Sequence, residues 1–174
     1  MKKILKTFAL LLAVTALVGS CENYTDEEIG YTPVFAVSGE WRIRVTDFDA
    51  DTLVTTTMYT FGTYNTADNS TSEIWIRTTS SMAGGLGALR GKISCGLSDL
   101  TFGATNANDI SVAAGATFSI TEGKITKDAL SMPSGVKADK ISFKYTTSKK
   151  PGKTYLFEGY RRTMWPEDDS FRTF

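Results

Sequence analysis

Near the end of the chain, "FEGYRRTMWPEDDSF" (Phe157 to Phe171) sets two adjacent arginines among four aromatic residues and four acids. Such a cluster can hold a ligand carboxylate through Arg161 or Arg162. It can equally pin a strand end through ion pairs and cation–π contacts. The rest of the chain narrows the chemistry. It contains no histidine, so neither a Ser-His-Asp nor a Cys-His arrangement can be built. Catalytic zinc sites lean on histidine as well. Cys95 falls on an apolar strand face, where a thiol is ordinarily buried and inert. Paired carboxylates remain, as glycosidases use them, and Glu40, Glu73 and Glu158 lie on expected strands. All three fall on the polar side of those strands, where a solvated ion pair is the simpler reading. No residue is assigned a catalytic role, and neither a metal nor a nucleotide cofactor is implied.

The start of the chain carries its own chemistry. Lys2, Lys3 and Lys6 precede "FALLLAVTALV" (Phe8 to Val18), an apolar run of eleven residues. A bilayer core of about 30 Å needs roughly 20 apolar residues in a helix, so this run fits a signal-peptide core instead. Gly19 and Ser20 lead into Cys21, and "VGSC" resembles a bacterial lipobox. That resemblance implies cleavage before Cys21, acylation of its thiol and new N-terminus, and a lipid anchor in the outer membrane of a Gram-negative envelope. Ordinary secretion with an incidental cysteine is the alternative. The expected organisation is a signal peptide at 1–20, acylated Cys21 and a tether to 37, and one barrel domain at 38–174. Removing the signal leaves 16 basic and 19 acidic residues, a net charge of −3, which argues against a nucleic-acid-binding face. It also leaves Cys95 as the one free thiol, so no internal disulfide is expected. In the tether, Asp26, Glu27 and Glu28 loosely resemble acidic tracts that send some lipoproteins to the cell surface; a plain solvated linker explains them equally well.

The elements that must position these groups read as strands. In "GEWRIRV" (Gly39 to Val45), Trp41, Ile43 and Val45 alternate with Glu40, Arg42 and Arg44, the period of a half-buried strand. "TLVTTTMYTFGTY" (Thr52 to Tyr64) is β-branched and aromatic. "SEIWIRTT", "LRGKISCGL", "KISFKYT" and "KTYLFEGYRRT" alternate in the same way. "TFSITEGKIT" (Thr117 to Thr126) reads as a hairpin about Glu122-Gly123, and Pro151-Gly152 marks a turn. "SSMAGGLGA" (80–88) and "ATNANDISVAAGA" (104–116) read as loops. About eight short strands without helical periodicity predict an all-β protein, a single antiparallel barrel or sandwich.

"GEW" on the first strand matches the Gly-x-Trp signature of lipocalins, and Arg161 and Arg162 follow at the end of the last strand. With the lipobox and tether, the chain resembles the bacterial lipoprotein family called lipid-binding putative hydrolases, which are lipocalin-like. The resemblance implies a barrel in which an arginine, Arg161 for preference, packs across Trp41 beside Gly39 to close one end. The Thr-Asp-Tyr-like turn of animal lipocalins is absent, which leaves the barrel topology open.

These readings converge on a lipid-anchored envelope protein that binds a small hydrophobic or amphipathic ligand. Tyr59, Phe61, Phe143, Tyr145, Tyr155 and Phe157 are the inward residues expected to line its site, with a tyrosine or arginine fixing a polar head. An eight-stranded barrel can also fill itself with side chains. The protein would then be an interaction module of a surface complex. A glycan binder, with Trp75 or Trp165 stacking on sugar, and a hydrolase are the further alternatives.

Overall fold

In strand β1 (Gly39–Asp47), Trp41, Ile43 and Val45 are wholly buried while their neighbours are half-buried. The same alternation recurs in most of the strands that follow. The computed structural model describes residues 30–112 and 115–173; the expected signal sequence, Cys21 and the tether as far as Ile29 lie outside the described residues. After a 3-10 turn (Phe35–Val37) and β1 come β2 (Thr52–Leu53), β3 (Tyr59–Asn65), β4 (Glu73–Thr78) and β5 (Arg90–Gly96). β6 (Thr101–Asp109), β7 (Ala116–Ser131), β8 (Lys137–Thr147) and β9 (Tyr155–Arg161) complete the series. No α-helix occurs among the described residues.

Each long strand pairs antiparallel with the next, and β1 pairs with β9 from Trp41↔Arg161 to Asp47↔Tyr155. The sheet therefore closes into an eight-stranded up-and-down barrel, with β2 as a short flap on the end of β1. Closure removes the unpaired edges that would otherwise recruit other strands. The seam depends on Gly159: a Cβ there would stand 2.0 Å from the Arg42 carbonyl oxygen of the facing strand.

Three expectations from the sequence change. Thr52–Tyr64 is not one strand. β2 folds back on β1, and residues 54–58 then carry the chain to β3. Glu122-Gly123 is not a hairpin but an irregularity inside a continuous strand of 16 residues, flanked by register shifts. Glu122 takes the turn-like φ of +56°, but one left-handed residue makes a bulge, whereas a tight reversal of this kind commonly needs two. The segment 104–116 is a loop only in its second half. Ala104 and Ala107 pair with Ile120 and Phe118, so β6 runs on to Asp109 despite a composition of Asn, Ala and Thr that suits a loop.

Candidate functional site

One end of the barrel is shut by the residues of the Gly-x-Trp strand. The Arg161 guanidinium lies over the Trp41 ring, 4.8 Å from its centroid. It donates to the carbonyls of Ser38 (2.6 Å) and Ala36 (3.1 Å), and its Nε stands 3.0 Å from Asp139 Oδ2. Gly39 makes room for this arginine, since a Cβ there would come within 3.1 Å of its Nη1. The Trp41 indole N–H donates to Thr63, whose hydroxyl donates to Val37 O. Burial works to raise the Asp139 pKa, but Lys127, the Asp128 N–H and the Arg161 charge outweigh it and hold the carboxyl below its usual range. Arg161 is thus committed to protein acceptors and a ring.

The rest of the arginine-rich segment fastens the tail to the outside of the barrel. Arg162 grips Asp169 with two parallel hydrogen bonds (3.0 and 2.8 Å) and pairs with Glu40. These partners raise its pKa, and Arg162 lowers that of Asp169. Buried Asp168 accepts from the Ser134 N–H and hydroxyl and from Thr163. Tyr160 donates to the Asp168 carbonyl and meets Phe171 edge-on, with ring centroids 5.8 Å apart.

Inside, the expected ligand-lining residues occupy the core. Phe143 stacks on Phe157 at 4.8 Å and stands 5.5 Å from both Phe61 and Phe102. Tyr145 lies 5.1 Å from Phe157 and 6.1 Å from Phe118. These separations are ordinary for packed aromatic pairs, so the structure brings Phe61, Phe143, Tyr145 and Phe157 together as a ring-on-ring column. The three tyrosines differ. The Tyr59 hydroxyl accepts from the Ala83 N–H at 2.8 Å. Tyr155 is buried beside Tyr145 on the neighbouring strand, and burial raises its pKa. The Tyr145 hydroxyl is buried with no hydrogen bond of full geometry; burial pushes its pKa up to about 12, against the pull of the neighbouring Thr147 side chain.

The opposite end is covered by residues 79–89, between β4 and β5. Met82, Leu86 and Leu89 from this loop join the buried core. The Lys149 ammonium, from the turn after β8, reaches over to the carbonyls of Leu86 (3.1 Å) and Ala88 (2.5 Å) and to Asp109 Oδ2 (2.6 Å). Burial favours protonation of Asp109, but Lys149, Ser111 and the Arg90 N–H overcome it and lower its pKa. Beside this turn an open cleft of about 330 Å³ is lined by Phe118, Thr147, Lys150 and Lys153 among others. Sequence reasoning missed Asp109, Lys149 and the buried loop residues. Met82 and Leu86, apolar in a glycine-rich segment, were the available signal; "SKKPGK" reads only as a turn.

The three candidate glutamates are paired: Glu40 with Arg162, Glu73 with Lys92, and Glu158 with Arg44 and Lys140. Trp75 is half-buried on that face with the Lys92 ammonium 5.8 Å from its ring centroid, while Trp165 is exposed. Cys95 is partly buried, and burial raises its pKa. Among the described residues, no three His, Cys, Asp or Glu side chains gather to hold a metal.

A closed eight-stranded antiparallel barrel with a tryptophan–arginine closure is a lipocalin-like architecture. The sequence model of the family described as lipid-binding putative hydrolase matches residues 26–166, and the chain belongs to that family. No curated protein matches the chain. Family membership and the barrel together support a lipid-binding role.

Proposed function

We propose that this protein is a lipid-anchored envelope protein whose barrel binds a small hydrophobic or amphipathic molecule. The buried, poorly matched Tyr145 hydroxyl carries the ligand reading. It is a hydrogen-bond donor buried in an aromatic interior, where it makes no hydrogen bond of full geometry and has only the Thr147 side chain as a polar neighbour. Leaving such a group unmatched costs about 1–3 kcal/mol, a cost that the polar head of a guest would relieve. Burial of an apolar tail supplies the affinity, at about 25 cal/mol per Å². The anchor and the outer-membrane location rest on "VGSC" and the basic, apolar segment before it. One anchored cysteine bearing several acyl chains would hold the protein stably, as a single chain does not.

A second reading has its own observation. The aromatic column packs ring to ring, as a filled barrel would, and Met164 and Trp165 stand 66% and 53% exposed on the surface. Both suit an interaction module of a surface complex. Native mass spectrometry of the full chain, isolated from membranes before and after organic extraction, separates the two. Ligand binding predicts a discrete extra mass that extraction removes, on a chain starting at an acylated Cys21. A bare acylated chain that takes up nothing from a mixed lipid extract supports the module. A chain retaining residues 1–20 or lacking acyl mass refutes the anchor.

A further inference from the structure

The mouth of the barrel suggests which ligands it takes. Lys149 is only 14% exposed, and its ammonium meets three acceptors: Asp109 Oδ2, Leu86 O and Ala88 O. An ammonium has three donors, so its capacity is used. Two of those acceptors belong to the loop that covers the mouth. Between Met82 and Gly87 that loop has few other polar ties to the barrel. The Ala83 N–H bonds the Tyr59 hydroxyl, and a Met82–Gly87 bridge closes the tip on itself. Gly84, Gly85 and Gly87 all have positive φ, a backbone that glycine adopts at little cost. Nearer the barrel wall the hold is firmer, through Ser111 on Ala88 O and Thr78 on the Leu89 N–H. The tip can therefore lift about a fixed base, and Met82 and Leu86 would leave the core with it.

We propose that Lys149 is the specificity residue of the barrel: it latches the tip of the closed loop through the Leu86 carbonyl, and exchanges that carbonyl for the anionic head of a single-chain amphipath when the tip lifts. The inference rests on the lipid-binding reading above and deepens it. Two features of the mouth support an anion, and a third, Asp109, is already occupied. Tyr145, whose buried hydroxyl makes no hydrogen bond of full geometry, belongs to the same cluster as Met82 and Leu86, and the Asp109 charge acts on it. Asp109 would repel an incoming anion, but the Arg90 and Ser111 N–H groups hold its Oδ1 at 3.1 and 2.9 Å, and Lys149 faces Oδ2. Lys150 adds a second positive charge over the loop; its Nζ lies 2.6 Å from where a Cβ on Gly85 would be. A neutral lipid head would replace the Leu86 carbonyl with another neutral acceptor. An acid replaces it with a charged one, through the stronger charge-assisted hydrogen bond.

The test is a fluorescence titration of the full chain with 11-(dansylamino)undecanoic acid and, separately, with its methyl ester. The unmodified protein should bind the acid about tenfold more tightly. In Lys149→Met the acid should fall to the affinity of the ester, while the ester binds as well as before or better, because the latch is gone. Lys149→Arg should restore a preference for the acid. Equal affinities for acid and ester in the unmodified protein would overturn the proposal and need no variant to fold. So would a Lys149→Met protein that keeps the preference. Binding of neither probe would remove the lipid-binding reading itself, and this inference with it.

Discussion

Arg161 shows how much one side chain can hold. Its guanidinium spans a ring, two backbone carbonyls and a buried carboxylate. Arg161→Ala would remove the cation–π contact and leave Asp139, 7% exposed, with only Lys127 and the Asp128 N–H. The expected loss is about 2–4 kcal/mol, or a fall in Tm of roughly 5–15 °C for a domain of this size. Arg161→Lys should recover only part of it, because an ammonium lacks the planar fork. Calorimetry of both variants checks this. If Arg161→Ala kept its Tm but lost ligand, the arginine would be a ligand clamp and not a closure. At this scale the sequence was partly legible. Gly39, Trp41 and Arg161 carry a readable motif at the two ends of the chain. Lys149 and Asp109 carry none. Their pairing depends on the β8–β9 turn and the end of β6 meeting at the mouth, and no local pattern records that meeting.

Among the elements, β1 and β9 decide whether the sheet is a barrel. Gly159 sits where β9 crosses the Arg42 and Ile43 backbone, and the neighbour is main chain that cannot rotate away. Gly159→Ala should therefore destabilise by about 3 kcal/mol or more, beyond ordinary overpacking. It should also promote aggregation as the seam exposes two strand edges. Urea unfolding and light scattering would show both; a variant of unchanged midpoint would mean that the seam tolerates displacement. Strand existence was legible wherever one face is buried, as in "GEWRIRV" and "KISFKYT", because alternation is a local consequence of burial. It was not legible at Glu122-Gly123 or in β6. There the backbone is held by partners on both sides, and long-range pairing overrides turn-like composition.

For the whole molecule, charge governs stability through a few carboxylates. Asp109, Asp139, Asp168 and Asp169 all have pKa values below the ordinary carboxylate value. The unfolded chain therefore takes up protons first as pH falls. The stabilisation is complete above about pH 4 and is lost as pH drops through the lowered native values. With no histidine to titrate, Tm should stay level from about pH 5 to 8. A decline beginning near pH 6 would contradict this. At the alkaline end, Tyr145 is held neutral to about 12. Its contribution is complete below the unfolded value of about 10 and is lost as pH rises toward the native one. By itself the sequence determined the class of fold, the absence of histidine chemistry and the ends of the barrel closure. Those follow from residue type and from short-range periodicity. Only the tertiary structure decided the strand order, the aromatic column, the buried Tyr145 hydroxyl and the lysine over the mouth. Each of these depends on which distant segments become neighbours once the sheet closes, and side-chain alternation says which way a residue points but not what it meets.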